Sequence, residues 1–232
     1  MTQQPPALGH PPTPEAPQVT VRGEGRLEVE PELARIDVSV RSGGTDRASV
    51  LTALTDRNAE ALALVKSYGE AVTALETGAL SVTPEPARHG RGERVRGYRG
   101  WVRLSAEVTD FTALGELTTR LADLEWTRVD GPWWALRPDS PAYAEARRQA
   151  VREAVRRGRE YAEALGASLV ALLELSDTGL AGAVPPGRPL GASRMAFAAE
   201  SVDEPAPLDL EPQRQTVVAE VAARFVISPP EL

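Results

Sequence analysis

PDSPAYAEARRQAVREAVRRGREYAEALG (residues 138–166) is the least ambiguous stretch of the chain, and the rest can be read outward from it. Ser140 is a good N-cap, and Pro141 suits the first helical position, where its missing N–H costs nothing. Gly166 is placed to end the helix in a left-handed conformation. Between them lie about 25 residues of helix, ~38 Å at ~1.5 Å per residue. Ala146, Ala150, Ala154, Gly158 and Ala162 recur every four residues. They form one helical ridge of small side chains, which permits close backbone approach. Val151, Val155, Tyr161 and Leu165 widen it into an apolar face. Arg147, Arg148, Arg152, Arg156, Arg157 and Arg159 are interleaved with Glu145, Glu153, Glu160 and Glu163, the pattern of a solvated, salt-bridged surface. The helix is a scaffold bar without a reactive group.

The flanks are strands. Val217, Ala219, Val221, Ala223, Phe225 and Ile227 alternate strictly near the C-terminus, and Val19, Val21, Gly23, Gly25, Leu27 and Val29 do so near the start. The two glycines leave room for a bulky neighbour or mark a bulge. Alternation predicts further strands over 34–41, 72–84, 95–108 and 128–136, with helices over 46–68 and from Asp110 to Leu124. Residues 168–175 are nearly all apolar and read as a strand buried on both faces. Residues 177–213 lose periodicity and carry six prolines, which suggests a mobile or assembly arm. The expected order is ββαββαβαβ, a long arm, then β. That is an α+β fold: a mixed or antiparallel sheet with helices packed on one face. The expected organisation is a disordered, Pro-rich tail over 1–17 and a single domain over 18–228.

Composition removes several function classes. The 232 residues include no cysteine and two histidines, which argues against disulfides, thiolate metal sites, cysteine nucleophiles and histidine-based triads. A net charge of −7 argues against bulk nucleic-acid binding. No apolar run approaches the ~20 residues of a membrane span. The first 17 residues have neither a basic n-region nor an apolar h-region, so a cytoplasmic location is expected. Gly23-Glu24-Gly25 is no nucleotide loop, because no third glycine or helix follows. No catalytic residue, cofactor or metal set stands out. The chain is expected not to be an enzyme; a deep pocket with converging carboxylates would reverse that expectation.

Two surfaces invite contact. Arg91, Arg94, Arg96, Arg99 and Trp101 belong to a basic, aromatic-interleaved hairpin over 88–103 that could hold an anionic ligand or acidic protein. Trp133-Trp134 place one ring on each side of a strand, one for the core and one for a contact surface. With Ala150, Ala154 and Gly158 of the small-residue ridge they form the candidate interface for a second copy of the chain.

Together VTVRGEGRLEVEPELARIDVSV (19–40), LSVTPE (80–85), GYRGWVRLSAEVTDFTALGEL (97–117), AYAEARRQAVREAVRRGREYAEALG (142–166) and VVAEVAARFVI (217–227) resemble the SIMPL-domain family in order and spacing. The resemblance implies an α+β fold without agreed catalytic residues. It also implies relatives among envelope proteins linked to oxidative stress, a ring-forming surface antigen and a kinase-binding adaptor. The expectation is therefore a non-enzymatic, self-assembling protein linked to stress response. The alternative is a monomeric adaptor or anionic-ligand binder that uses the arginine hairpin.

Overall fold

A computed structural model describes residues 12–86, 95–181 and 208–231, with only the backbone at 178–181. Its elements run β1 (Gln18–Val29), β2 (Leu33–Gly44), α1 (Arg47–Lys66), β3 (Val72–Pro86), β4 (Val95–Val108), α2 (Phe111–Ala122), β5 (Thr127–Ala135), α3 (Pro141–Ala164), β6 (Leu169–Ala181) and β7 (Gln215–Ile227). The class is α+β, and the order matches the one read from the sequence. All strand pairs are antiparallel, but the strands are dealt to two sheets, in two compact units.

The unit built from residues 30–137 has the order βαββαβ, a split βαβ arrangement, with its sheet ordered β3-β4-β2-β5. Alternation in β2 and β4 sends Ile36, Val38, Val40, Val102, Leu104, Ala106 and Val108 to one face, where each is at most 1% exposed. Helices α1 and α2 close that face with Leu54, Val65, Leu114, Leu117 and Leu121. Burying each of these large side chains stabilises by roughly 1.5–3 kcal/mol. Both helices start on aspartate caps. Asp46 accepts from the Ser49 backbone N–H at 2.8 Å, and Asp110 accepts from Thr112 and Ala113 at 2.9 and 3.1 Å. The segment around Leu208 lies along α2. The Leu208 N–H donates to Thr119 Oγ1 at 3.2 Å, and its carbonyl is so close to Gly115 that a Cβ there would meet it at 2.3 Å.

The second unit is a three-stranded sheet, β1-β7-β6, with α3 across one face. The small ridge of α3 packs on β1 and β7, and Ala146, Ala150, Ala154 and Ala162 are 0% exposed. Gly23 and Gly25 of β1 are required by backbone proximity, not by a bulky neighbour. A Cβ on Gly23 would sit 2.1 Å from the Ala150 carbonyl oxygen, and one on Gly25 2.0 Å from that of Ala146. Alanine ridge and strand glycines are thus two halves of one contact. The helix ends as its sequence requires, with Gly166 at φ +67°.

Strand β6 corrects a sequence expectation. It is an edge strand, and Val170, Leu172, Leu173 and Leu175 are 63, 53, 46 and 46% exposed. Helix α3 lies over β1 and β7 and barely touches β6. The expected arm is also shorter: Asp177–Ala181 belongs to β6, and 208–213 runs beside α2, whereas 182–207 lies outside the described residues. Residues 1–11 of the expected tail lie outside them too, while Pro17 already accepts a hydrogen bond from the Ile227 N–H at 2.9 Å.

Candidate functional site

Two surfaces carry unspent chemistry: the open face of the β3-β4-β2-β5 sheet and the edge of β6 that is unpaired among the described residues. The helix-free face of the four-stranded sheet is built by the odd-numbered residues of β2 and β4. Register sets Arg35 opposite Glu107 on one side and Trp133 on the other. Asp37 faces Ser105 and Asp130; Ser39 faces Arg103 and Arg128; Arg41 faces Trp101. The acids gather toward one end. Arg35 bonds Glu107 at 2.5 Å, and Arg128 bonds Asp130 at 2.6 Å. The Glu107 hydrogen bond holds the Arg35 guanidinium above its ordinary pKa.

The other end is basic. Arg99, Trp101 and Arg103 lie in a column along β4, with Arg41 beside Trp101 on β2. Arg99 is held by Glu85 at 2.5 Å, and the Arg103 guanidinium lies 6.0 Å from the Trp101 ring centroid. Of the hairpin residues expected to bind, Arg99 and Trp101 therefore share this face. Arg96, three residues from Arg99, falls on the opposite side by strand alternation. Arg91 and Arg94 lie outside the described residues. Arg41 and Arg103 complete the cluster. The alternation of 34–41 had already put Arg41 on an outward face, but only the register brings it to Trp101.

The candidate interface residues are scattered. Trp134 turns to the helix side of β5 and meets Phe111 edge-on, with ring centroids 4.8 Å apart and planes at 77°. Trp133 points the other way and is 49% exposed. Ala150, Ala154 and Gly158 are buried by the chain's own β1 and β7, with Gly158 under the Phe225 ring. A further exposed aromatic, Trp126, stacks on Arg57 at 5.4 Å and adopts φ +62°. No spacing rule singled it out, since it sits in a turn between elements.

Among the described residues no three His, Cys, Asp or Glu side chains lie together as metal ligands. An open hollow of about 440 Å³ at the start of α2 is lined by Phe111, Thr112 and residues 208–212. It offers Asp209 and Glu211 but neither a histidine nor a cysteine. No helix among the described residues is long and apolar enough to cross a membrane.

Comparison with known proteins fits this architecture. The SIMPL family, described as a protein of unknown function (DUF541), matches residues 19–225, which takes in both sheets and all three helices. This chain belongs to the SIMPL family. The 26 kDa periplasmic immunogenic protein of Brucella melitensis biotype 1 is 23% identical over 167 residues, and that of Brucella abortus strain S19 is equally so. Each match covers 69% of this chain and 66% of the relative, just under two thirds of its length. Neither the family description nor those names carries an enzymatic activity. The cytoplasmic expectation is corrected by the same comparison: the relatives are named periplasmic, which points to an envelope location.

Proposed function

We propose that this SIMPL protein acts without catalysis in the cell envelope, by self-association through the free edge of β6. The family resemblance links that setting to stress defence. The observation that carries the reading is β6 itself. An edge strand presents a row of unpaired backbone N–H and C=O groups, and exposed edges are ordinarily defended by charge, proline, bulges or a covering element. Strand β6 does shift register against β7 at three places, but it carries little charge and no proline. From Leu169 to Leu175 the sole charge is Glu174, and it is taken up by Arg224 at 3.2 Å. The opposite edge, β1, carries Arg22, Glu24, Arg26 and Glu28 along its outer face.

The β6 edge is also self-complementary. Antiparallel pairing of two copies about an axis at Leu172 sets Leu172 against its own copy and brings no like charges together. Such a seam joins two three-stranded sheets into one of six strands. A single strand pair is small beside the ~1,200–2,000 Å² of stable interfaces, so association depends on concentration. This reading gives Ala150, Ala154 and Gly158 an internal role and moves the assembly contact to β6.

Light scattering on a size-exclusion column, combined with hydrogen exchange, tests it. The wild-type chain should exceed its 24.8 kDa monomer mass as concentration rises, and amides 170–175 should gain protection in step. Leu173→Lys should give a monomer with an unchanged circular dichroism spectrum. A wild-type chain that stays monomeric at high micromolar concentration, or protection of β6 that ignores concentration, would sink the proposal.

A further inference from the structure

We propose that the basic end of the open face of the β3-β4-β2-β5 sheet, formed by Arg41, Trp101, Arg103 and Ser39, binds a flat aromatic ring that carries a phosphate, the chemistry of a nucleotide. The site is independent of the β6 edge.

Placement comes first. Arg41 is the register partner of Trp101, and Ser39 that of Arg103. Arg41 and Arg103 are therefore diagonal neighbours on adjacent antiparallel strands, about 7–8 Å apart at the backbone and within mutual reach of long side chains. Their guanidinium groups can converge on one anion between them, with the Ser39 hydroxyl beside it. Strands β2 and β4 are the two central strands of the sheet, so the platform is held on rigid backbone from both sides.

Charge comes second. Most arginines on this face are already neutralised: Arg35 by Glu107, Arg99 by Glu85 and Arg128 by Asp130. Neither the Arg41 nor the Arg103 guanidinium has a carboxylate partner among the described residues, and both side chains are exposed. Two exposed guanidiniums side by side, neither held by a carboxylate and one of them over the Trp101 ring, make a local positive patch in a protein of net charge −7. A phosphate presents more oxygens than a carboxylate, spread around a tetrahedral centre, and can accept from two arginine forks at once.

The ring comes third. Trp101 is half-buried in the plane of the sheet, at the flank of the same pair. An indole face there can stack a flat ring, while the guanidiniums hold its phosphate. Inorganic phosphate would satisfy only part of the site, and so would the uncharged ring. A free mononucleotide and a single-stranded nucleic acid share the needed chemistry.

Titration of the full chain with adenosine monophosphate, adenosine, inorganic phosphate and a short single-stranded oligothymidylate, followed by calorimetry and tryptophan fluorescence, tests the assignment. Saturable binding of the mononucleotide, more than tenfold tighter than phosphate or adenosine, is expected. Binding of the oligonucleotide alone would support the same site with a strand as its source. Arg41→Gln and Arg103→Gln should each weaken binding about tenfold or more, and Trp101→Phe should remove the fluorescence change. All three positions are on an open face, so unchanged thermal melting should accompany the loss. The assignment is overturned if neither nucleotide ligand binds saturably, if phosphate alone binds as well as they do, or if the arginine variants bind like the wild type.

Discussion

The two sheets solve the same burial problem with opposite materials. The β3-β4-β2-β5 sheet is covered by two helices whose leucines interdigitate with branched side chains from β2 and β4. The β1-β7-β6 sheet has one helix, and its contact is made of alanine and glycine. Large side chains hold a helix away from a sheet and fill the gap; small ones let the backbones touch. The first construction tolerates a lost methyl group better than the second tolerates an added one. The second also covers less width, and among the described residues it leaves most of β6 exposed. All four tryptophans, 101, 126, 133 and 134, lie in the first unit, so indole fluorescence reports that unit alone.

The largest predicted effect breaks the backbone contact. Gly23→Val puts a Cβ 2.1 Å from a carbonyl oxygen that has no flexible side chain to yield. A cost of about 3–5 kcal/mol is expected, seen as loss of hydrogen-exchange protection along α3. If α3 amides keep their protection, the strand and helix backbones are not in close contact. Next comes the leucine core. Leu117→Ala, at a position 0% exposed, should cost about 2–5 kcal/mol and shift the denaturant midpoint read by tryptophan fluorescence. A loss below ~1 kcal/mol would mean that the site collapses freely around the missing atoms.

A smaller change sharpens the contrast inside α3. A Cβ at Gly158 would lie 3.1 Å from the Phe225 ring and 3.3 Å from Leu169, tight but against side chains that can shift. Mid-helix glycine is worse than alanine by roughly 0.8–1.0 kcal/mol. Gly158→Ala should therefore fall within about 1 kcal/mol of wild type, in either direction, by chemical denaturation. A loss as large as that of Gly23→Val would place the Phe225 ring among the immovable parts of the contact.

The fold was largely legible because its signals are local. Alternation found β4 and most of β2, which runs on to Gly44 past the expected end at Arg41; the aspartates before α1 and α2 mark their caps, and the four-residue ridge of α3 marks its buried face. What local patterning cannot carry is which elements become neighbours. Leu169 to Leu175 reads as doubly buried because burial and mere apolarity look alike in a sequence; only the path of α3, which lies over β1 and β7 and meets β6 just at its start, shows that most of the strand is left exposed. The same limit kept Arg41 out of the basic cluster. Arg99 and Trp101 stand in one hairpin, but Arg41 lies 60 residues from Trp101 and meets it only through the β2–β4 register. Trp126 is set by a turn conformation, φ +62°, that side-chain type does not announce.

The smallest effect concerns the outer face of α3, the part of the second unit that does resemble an ordinary surface helix. Glu145 accepts from Arg152 at 2.7 Å and from Arg148 at 2.8 Å, and these bonds, Arg152 first, hold its carboxyl below the usual range. Glu153 accepts from Arg156 and Arg157, each Nε at 2.8 Å, and is lowered chiefly by Arg156. A carboxylate whose pKa is depressed by folding adds stability that is present above its unfolded pKa and is lost as pH falls through the folded one. The melting temperature followed at the helical circular dichroism band should thus decline as pH drops below about 4.5, the ordinary glutamate value. These pairs face solvent and are screened by salt, so the decline should shrink in high salt. The double variant Glu145→Gln, Glu153→Gln should lose part of the acid dependence while keeping its helix at neutral pH. If the variant and the wild type fall alike with pH, acid acts elsewhere, and the arginine–glutamate lattice of α3 serves solubility alone.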